Sequence, residues 1–420
     1  MKSQYIIAAI LVVVVVVAAL SAFLYYYKPT EEEQVVKIGA VLPLSPPGGY
    51  LFGVDIRDAL QIAIDEVNSK GGVLGRKLEL HVRDNRGIAE EARAASEELA
   101  INIGVDVFMG DYHSTCALQG CEVAHEYNIP FFDISGWSNE ITERGYKQVF
   151  RVCPYVLRIS YIMIEAFKEY GLTDVLLLHE DTAYGEDWIK TFAPIFNEEI
   201  PDGRLRDSLY SWEASDFRPL LFEYVPDPPD IIIAAGGGVS LMLLNSQAYE
   251  VGLCPPALFY DLGSWAIRPE EFWPQVGEAG LYTLTHSATH AKYGGTTVGQ
   301  YAKFLMEEKL GREFSYVQAQ AWDALLIYVE SVKKAGTTDA DKVIDEIEKI
   351  EFEGTRGTIT FGGSEHKGHV FYHSWIDVPM FMCQSTEIGQ TFDDSDIIGP
   401  LEYSTALLLN EYGEPVTPIE

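Results

Sequence analysis

Apolar positions along the chain alternate between two spacings. A compact apolar run at 35–42 predicts a strand, and a Gly/Pro loop at 43–49 follows it. Ile56, Ala59, Leu60, Ala63, Ile64 and Val67 then recur at helical spacing until Gly71 and Gly72 end the pattern. Strands are predicted next at 78–82, 105–109 and 130–134, with helices at 88–103 and 116–127. A second series has helices at 156–170, 184–198, 216–224 and 239–251, and strands at 175–179, 205–211, 231–235 and 257–260. Regular alternation of this kind predicts parallel sheets covered by helices on both faces, and two runs of it predict two lobes. Helices at 296–309, 316–335 and 340–350 need a sheet to pack on. A return of the chain to the first lobe supplies one. Beyond 357 a strand-like Gly/Thr/Phe stretch gives way to segments without a clear period.

The N-terminal pattern is different. Residues 6–27 are apolar and uncharged, with an unbroken valine run at 12–17, which is long enough for one membrane-spanning helix. Tyr25, Tyr26 and Tyr27 stand where an interfacial belt would lie, and Glu31, Glu32 and Glu33 follow. A cleaved signal peptide is the rival reading, with 19–22 as its cleavage site, although its apolar region should be shorter. Either reading places the body outside the cytoplasm. The expected organisation is a stub at 1–5, an anchor or signal at 6–27 and a linker at 28–34, followed by the body.

Charge narrows the partners. The 420 residues carry 63 acids against 30 bases, a net charge of −33, so a phosphate backbone would be repelled and no nucleic acid is expected. Five scattered cysteines do not form a disulfide framework, and buried thiols are expected. His286 and His290 are spaced as in zinc proteases, but Ser287 stands where the glutamate belongs. Gly236, Gly237 and Gly238 follow a strand and open a helix, yet neither a dinucleotide fingerprint nor a P-loop lysine is present. With no nucleophile elbow either, neither an enzyme nor a cofactor is expected.

Several segments resemble the periplasmic binding proteins of fold type I, the leucine/isoleucine/valine-binding type that feeds ABC importers. The segment 37–45 is similar to the first strand and loop of that family. The segment 63–78, AIDEVNSKGGVLGRKL, is similar to its most recognisable helix end. Tyr184-Gly185 and the stretch 357–361 resemble later motifs. The resemblance implies an α/β fold of two doubly wound parallel-sheet lobes joined by three hinge crossings, preceded here by one N-terminal transmembrane helix. Crossings near 151–154, 283–286 and 363–368 give lobe I as 35–153 plus 286–365 and lobe II as 154–285 plus 366–420. The implied partners are a small-molecule ligand (an amino acid or a related carboxylate or amine), ABC transporter permease subunits, and the membrane through the N-terminal helix. The alternative is a membrane-anchored sensor ectodomain of the same fold, acting through a partner protein.

Ligands of doubly wound sheets sit beyond the carboxyl ends of the strands. This selects the loops at 48–53, 111–115 and 135–138. Ser114 falls on the family's carboxylate-binding serine. Ser135 and Trp137 match positions that bind the ligand's carboxylate and amino group, although the family usually has a small hydroxyl residue at the tryptophan position. Tyr50 or Phe52 falls at the pocket-wall aromatic, with plain core as the other reading for Phe52. Tyr184 falls at the aromatic of lobe II that folds over the ligand. The acid that pairs with an α-amino group has no clean match: its place falls near Leu262, with Asp261 adjacent. Gly237 or a neighbour replaces a lobe II tyrosine. Tyr112, Phe52, Trp137, Tyr184 and Trp265 together suggest an aromatic-rich cleft, suited to an apolar or aromatic carboxylate or to a quaternary amine.

Overall fold

The computed structural model describes residues 35–237, 239–262, 268–293 and 295–419. The predicted membrane segment at 6–27 and Trp265 lie outside these residues. Among the described residues no helix is long and apolar enough to cross a membrane.

The first sheet contains β1 (Val36–Leu42), β2 (Leu78–Asp84), β3 (Val107–Met109), β4 (Phe131–Asp133) and β5 (Val149–Arg151), in the order β2-β1-β3-β4-β5. All its pairings are parallel. Val36, Ile38, Ala40 and Leu42 turn to one core and Val41 to another, as the two-residue repeat of a strand dictates. One core holds the helices Tyr50–Ser69 and Tyr316–Ala335. The other holds Ala89–Glu98 and Ser114–Tyr127. A strand covered on both faces has apolar residues turned to both, which is why β1 shows no alternation beyond Lys37 near its start. Of the late helices, Tyr316–Ala335 packs against β3 and against Tyr50–Ser69, and Thr297–Leu310 and Ala340–Ile347 pack on it in turn. The predicted helix at 88–103 ends in a π-helical turn, Leu99–Ile103, closed by Gly104 at φ 67°.

The second sheet contains β6 (Asp174–Glu180), β7 (Arg204–Tyr210), β8 (Ile231–Ala235), β9 (Leu258–Asp261) and β10 (Leu284–Ser287), all parallel. A small hairpin, β11 (Phe352–Gly354) with β12 (Gly357–Ile359), lies apart. Two antiparallel strands, β13 (Phe381–Gln384) and β14 (Asp396–Gly399), extend the second sheet beyond β10. The acid-rich C-terminal stretch is therefore built in: Leu408 is fully buried, and the Ile419 N–H donates to the Glu169 carbonyl at 2.8 Å.

Two expected boundaries move. The lobe limit at 285/286 cuts β10, whose members all pair within the second sheet. The third crossing also lies later than 363–368. Arg151, the last residue of β5, forms a parallel bridge with Ser374, and its carbonyl accepts from Trp375 N at 3.0 Å. Two crossing segments thus run side by side. All five cysteines are buried and free.

Candidate functional site

A cavity of about 280 Å³ lies between the carboxyl ends of the two sheets. Its lining comes from the segments that follow β2, β3 and β4 on one side and β6, β7, β8 and β9 on the other. Doubly wound sheets leave their strand ends open there, where helix N-termini and loops converge.

The first wall is held by buried polar groups. Asp111 accepts from the Tyr112 N–H at 2.6 Å and from the Asn85 amide, which fixes the turn after β3. Burial pushes its carboxyl up to about 8. Ser114 opens the helix Ser114–Tyr127 as its first residue rather than its cap. Its hydroxyl accepts from the N–H groups of Trp137 and Ser138, both at 3.1 Å, and so ties two cavity loops together. Asp133 accepts from the Gly136 N–H at 2.8 Å and pairs with Arg151 at 3.2 Å, both side chains fully buried. Burial pushes Asp133 up to about 6 against the pull of that arginine. These contacts place Ser135 and Trp137 at the cavity. His113 accepts from the Gly49 N–H at its Nε2, 2.8 Å away, so the neutral ring carries its proton on Nδ1. Burial holds its pKa near 4.

The second wall centres on Glu180, the last residue of β6 and only 4% exposed. It accepts from the Thr182 hydroxyl at 2.7 Å and from the Gly237 N–H at 3.1 Å. Burial pushes its carboxyl from 4.5 to about 7. Gly236 must lack a side chain, because a Cβ there would stand 2.1 Å from the Tyr210 hydroxyl. Tyr184 lies in the first turn of the helix Ala183–Glu199, capped by Thr182. Its ring meets Trp137 edge-on at 6.4 Å, and Trp137 also packs on Tyr316 at 5.7 Å and on His286 at 4.9 Å. The walls touch directly as well. Ala183 N donates to the Thr115 hydroxyl at 3.2 Å, and Asn139 N donates to Asp187 at 2.6 Å.

The structure brings Tyr112, Ser114, Ser135, Trp137 and Tyr184 together around this cavity. Two expected site residues do not line it. Phe52 is fully buried on the inner face of its helix and backs Tyr112 at 4.9 Å. Asp261 is fully buried at the end of β9, between the pairing positions Ala234 and Thr285, and Leu262 reaches the cavity instead. The loop at 48–53 is largely helix, and the turn after β2, from Gly87, lines the wall in its place. Glu180, Trp212 and Tyr316 were missed by sequence reasoning. Glu180 carried a usable signal, since it directly follows the strand predicted at 175–179 in the second series. Tyr316 carried none, being distant in sequence from every other lining residue. Among the described residues no three His, Cys, Asp or Glu side chains gather as a metal site.

Known proteins resemble this chain in sequence and in shape. A Leu/Ile/Val-binding protein homolog 7 from Brucella suis is 26% identical over 247 residues, covering 56% of this chain and 60% of the relative. The chain thus matches less than two thirds of that relative's length. The leucine-binding protein LivK of Thermotoga maritima superposes with a TM-score of 0.75 at 23% identity, over 86% of this chain and 97% of the other. LivJ of Streptococcus pneumoniae, solved with isoleucine, gives 0.73 at 20% identity, over 87% and 99%. A solute-binding protein of R. palustris, solved with benzoate, gives 0.74 at 19%, over 87% and 96%. These structures share the fold. Residues 35–375 match the family described as periplasmic binding protein, a family of binding proteins rather than enzymes, and the chain belongs to it.

Proposed function

We propose that this protein is an extracytoplasmic solute-binding protein that captures a small organic ligand by closing its two lobes and delivers it to the permease subunits of an ABC importer. The observation that carries this reading is a cavity walled by the strand ends of both sheets and of a size to enclose a metabolite. Solved relatives that hold isoleucine or benzoate support a ligand of this size. Ser135 and the His113 Nδ1–H offer hydrogen bonds from the first lobe. Trp137, Tyr112 and Tyr184 supply aromatic surface, and Ser114 acts by holding the Trp137–Ser138 backbone. The hinge is the pair of adjacent crossings at Arg151 and Ser374, together with the crossing after β10. Closure brings Thr115 to Ala183 and Asn139 to Asp187, which creates a surface that an importer can read. The segment 6–27 anchors the body to the membrane.

A thermal-shift screen of the full chain against amino acids, aromatic acids, amides and organic cations tests this reading. A ligand at a hundredfold excess over its dissociation constant adds about 2.7 kcal/mol of apparent stability. A clear rise with one chemical class supports solute capture, and a flat response to all of them counts against it.

A further inference from the structure

The cavity has an uneven charge. Four carboxylates line it, Glu90, Glu180, Asp181 and Glu186, and no lysine or arginine does so among the described residues. The one imidazole, His113, is fixed as a neutral donor by the Gly49 N–H at its Nε2. A narrow cleft lined by one sign of charge concentrates ligands of the other sign.

Glu180 gives this field a focus. It is almost fully buried, yet no lysine, arginine or histidine pairs with it among the described residues. Its two protein partners are a hydroxyl and a backbone N–H, which leaves acceptor capacity unused. An ionised carboxylate in such a place needs a counter-charge that the protein does not provide.

The rings supply the second observation. Trp137 stands between Tyr184 and Tyr316, and it is 4% exposed with its indole Nε1 unpartnered. Tyr112 lies across from Gly237, whose N–H binds Glu180: a Cβ on that glycine would be 3.9 Å from the tyrosine ring. Aromatic faces attract cations, most strongly where water is excluded.

We infer that the ligand is an organic cation, an amine or a quaternary ammonium, whose charged nitrogen sits between the Glu180 carboxylate and the rings of Trp137, Tyr184 and Tyr112. This inference rests on the solute-binding reading above and specifies its ligand class.

The test is calorimetric titration and thermal shift of the full chain with choline, tetramethylammonium and phenethylamine. Uncharged 3,3-dimethylbutan-1-ol, the carbon analogue of choline, is run beside them, together with leucine and benzoate. At least one cation should bind and raise the melting temperature, and the uncharged analogue should bind at least tenfold more weakly than choline. Glu180→Gln should weaken the bound cation at least tenfold. The uncharged analogue makes the same comparison without any substitution, so a folding defect in the variant cannot decide the outcome. Binding of leucine or benzoate with all three cations silent would overturn the inference and leave solute capture standing. Silence from every compound would overturn both. Equal affinity for choline and its uncharged analogue would also overturn it, because shape rather than charge would then be recognised.

Discussion

Arg268 holds Asp55 with two hydrogen bonds across the boundary between the lobes, Nε to Oδ2 at 2.7 Å and Nη2 to Oδ1 at 3.1 Å, both side chains buried. Arg268 leads into the helix Pro269–Val276 beside the second sheet, while Asp55 belongs to the helix Tyr50–Ser69 on the first. Asp55 also accepts from Arg312 Nε at 2.8 Å within its own lobe. The aspartate therefore keeps a counter-ion if the contact between lobes is lost.

Arg268→Ala should consequently fold and yet close poorly. We expect about a tenfold loss of affinity, ~1.4 kcal/mol, for whichever compound raises the melting temperature in the screen. Titration calorimetry measures the affinity, and small-angle scattering would report a larger radius in the presence of ligand. Unchanged affinity would mean that the clasp contributes nothing to closure. Asp55→Ala is the harsher change: among the described residues it leaves Arg268 only the Glu270 carboxylate, at 3.5 Å, and Arg312 only that of Asp58, at 3.0 Å, and it should cost about 3 kcal/mol of stability.

Ser114→Ala removes the acceptor of two buried N–H groups, those of Trp137 and Ser138. Leaving a buried donor unsatisfied costs about 1–3 kcal/mol. The variant should show a lower urea midpoint even without ligand, together with weaker binding. Full stability with weak binding would instead assign the hydroxyl to the ligand alone.

Glu180 gives a pH signature. Burial raises its folded pKa from 4.5 to about 7, so the folded protein retains a proton that the unfolded chain has released. A raised carboxyl is at no disadvantage below 4.5, and it lowers stability progressively as the pH climbs through about 7. Thr182, Gly237, Asp181 and Tyr210, which face it, are the same in Glu180→Gln. The melting temperature of that variant minus wild type, without ligand, should therefore rise between these limits and level off above them. Paired thermal melts measure it, and a difference independent of pH would place the carboxyl in its ordinary range.

Gly237 keeps space open between the walls. A Cβ there would make ordinary contacts with His113, at 3.4 Å, and with Tyr112. Gly237→Ala should bind within a few-fold of wild type. Gly237→Tyr would fill the gap and should lose at least a hundredfold in affinity, ~2.7 kcal/mol, with little change in melting temperature. Retained binding in the tyrosine variant would mean that the ligand lies elsewhere in the cavity.

How far the sequence could be read depended on burial. The runs at 35–42 and 231–235 were legible because strands covered on both faces are mostly apolar, broken only by Lys37 in the first, and the helix at 156–170 appears with the bounds its pattern gives. β10 was invisible, since Thr285, His286 and Ser287 are polar and yet almost fully buried, which no apolar pattern can signal. β13 and β14 are short additions at one end of the second sheet, separated by irregular chain. At the cavity, the rule that ligands lie beyond strand ends selected the loops after β3 and β4, which line it. The same rule applied to β6 selects Glu180. Phe52 and Tyr112 show another limit: two aromatics in contact were both legible as wall residues, but only packing decides which one covers the other.

The internal bonds of Asp111, Ser114 and Asp133 bear on how long a ligand stays. They hold the turns after β3 and β4 through the protein's own groups. The landing surface is therefore complete before any solute arrives, and capture need not wait for loops to settle. Arrival rates should then be similar for related compounds. Differences among them should be expressed as residence times, set by how often the lobes part.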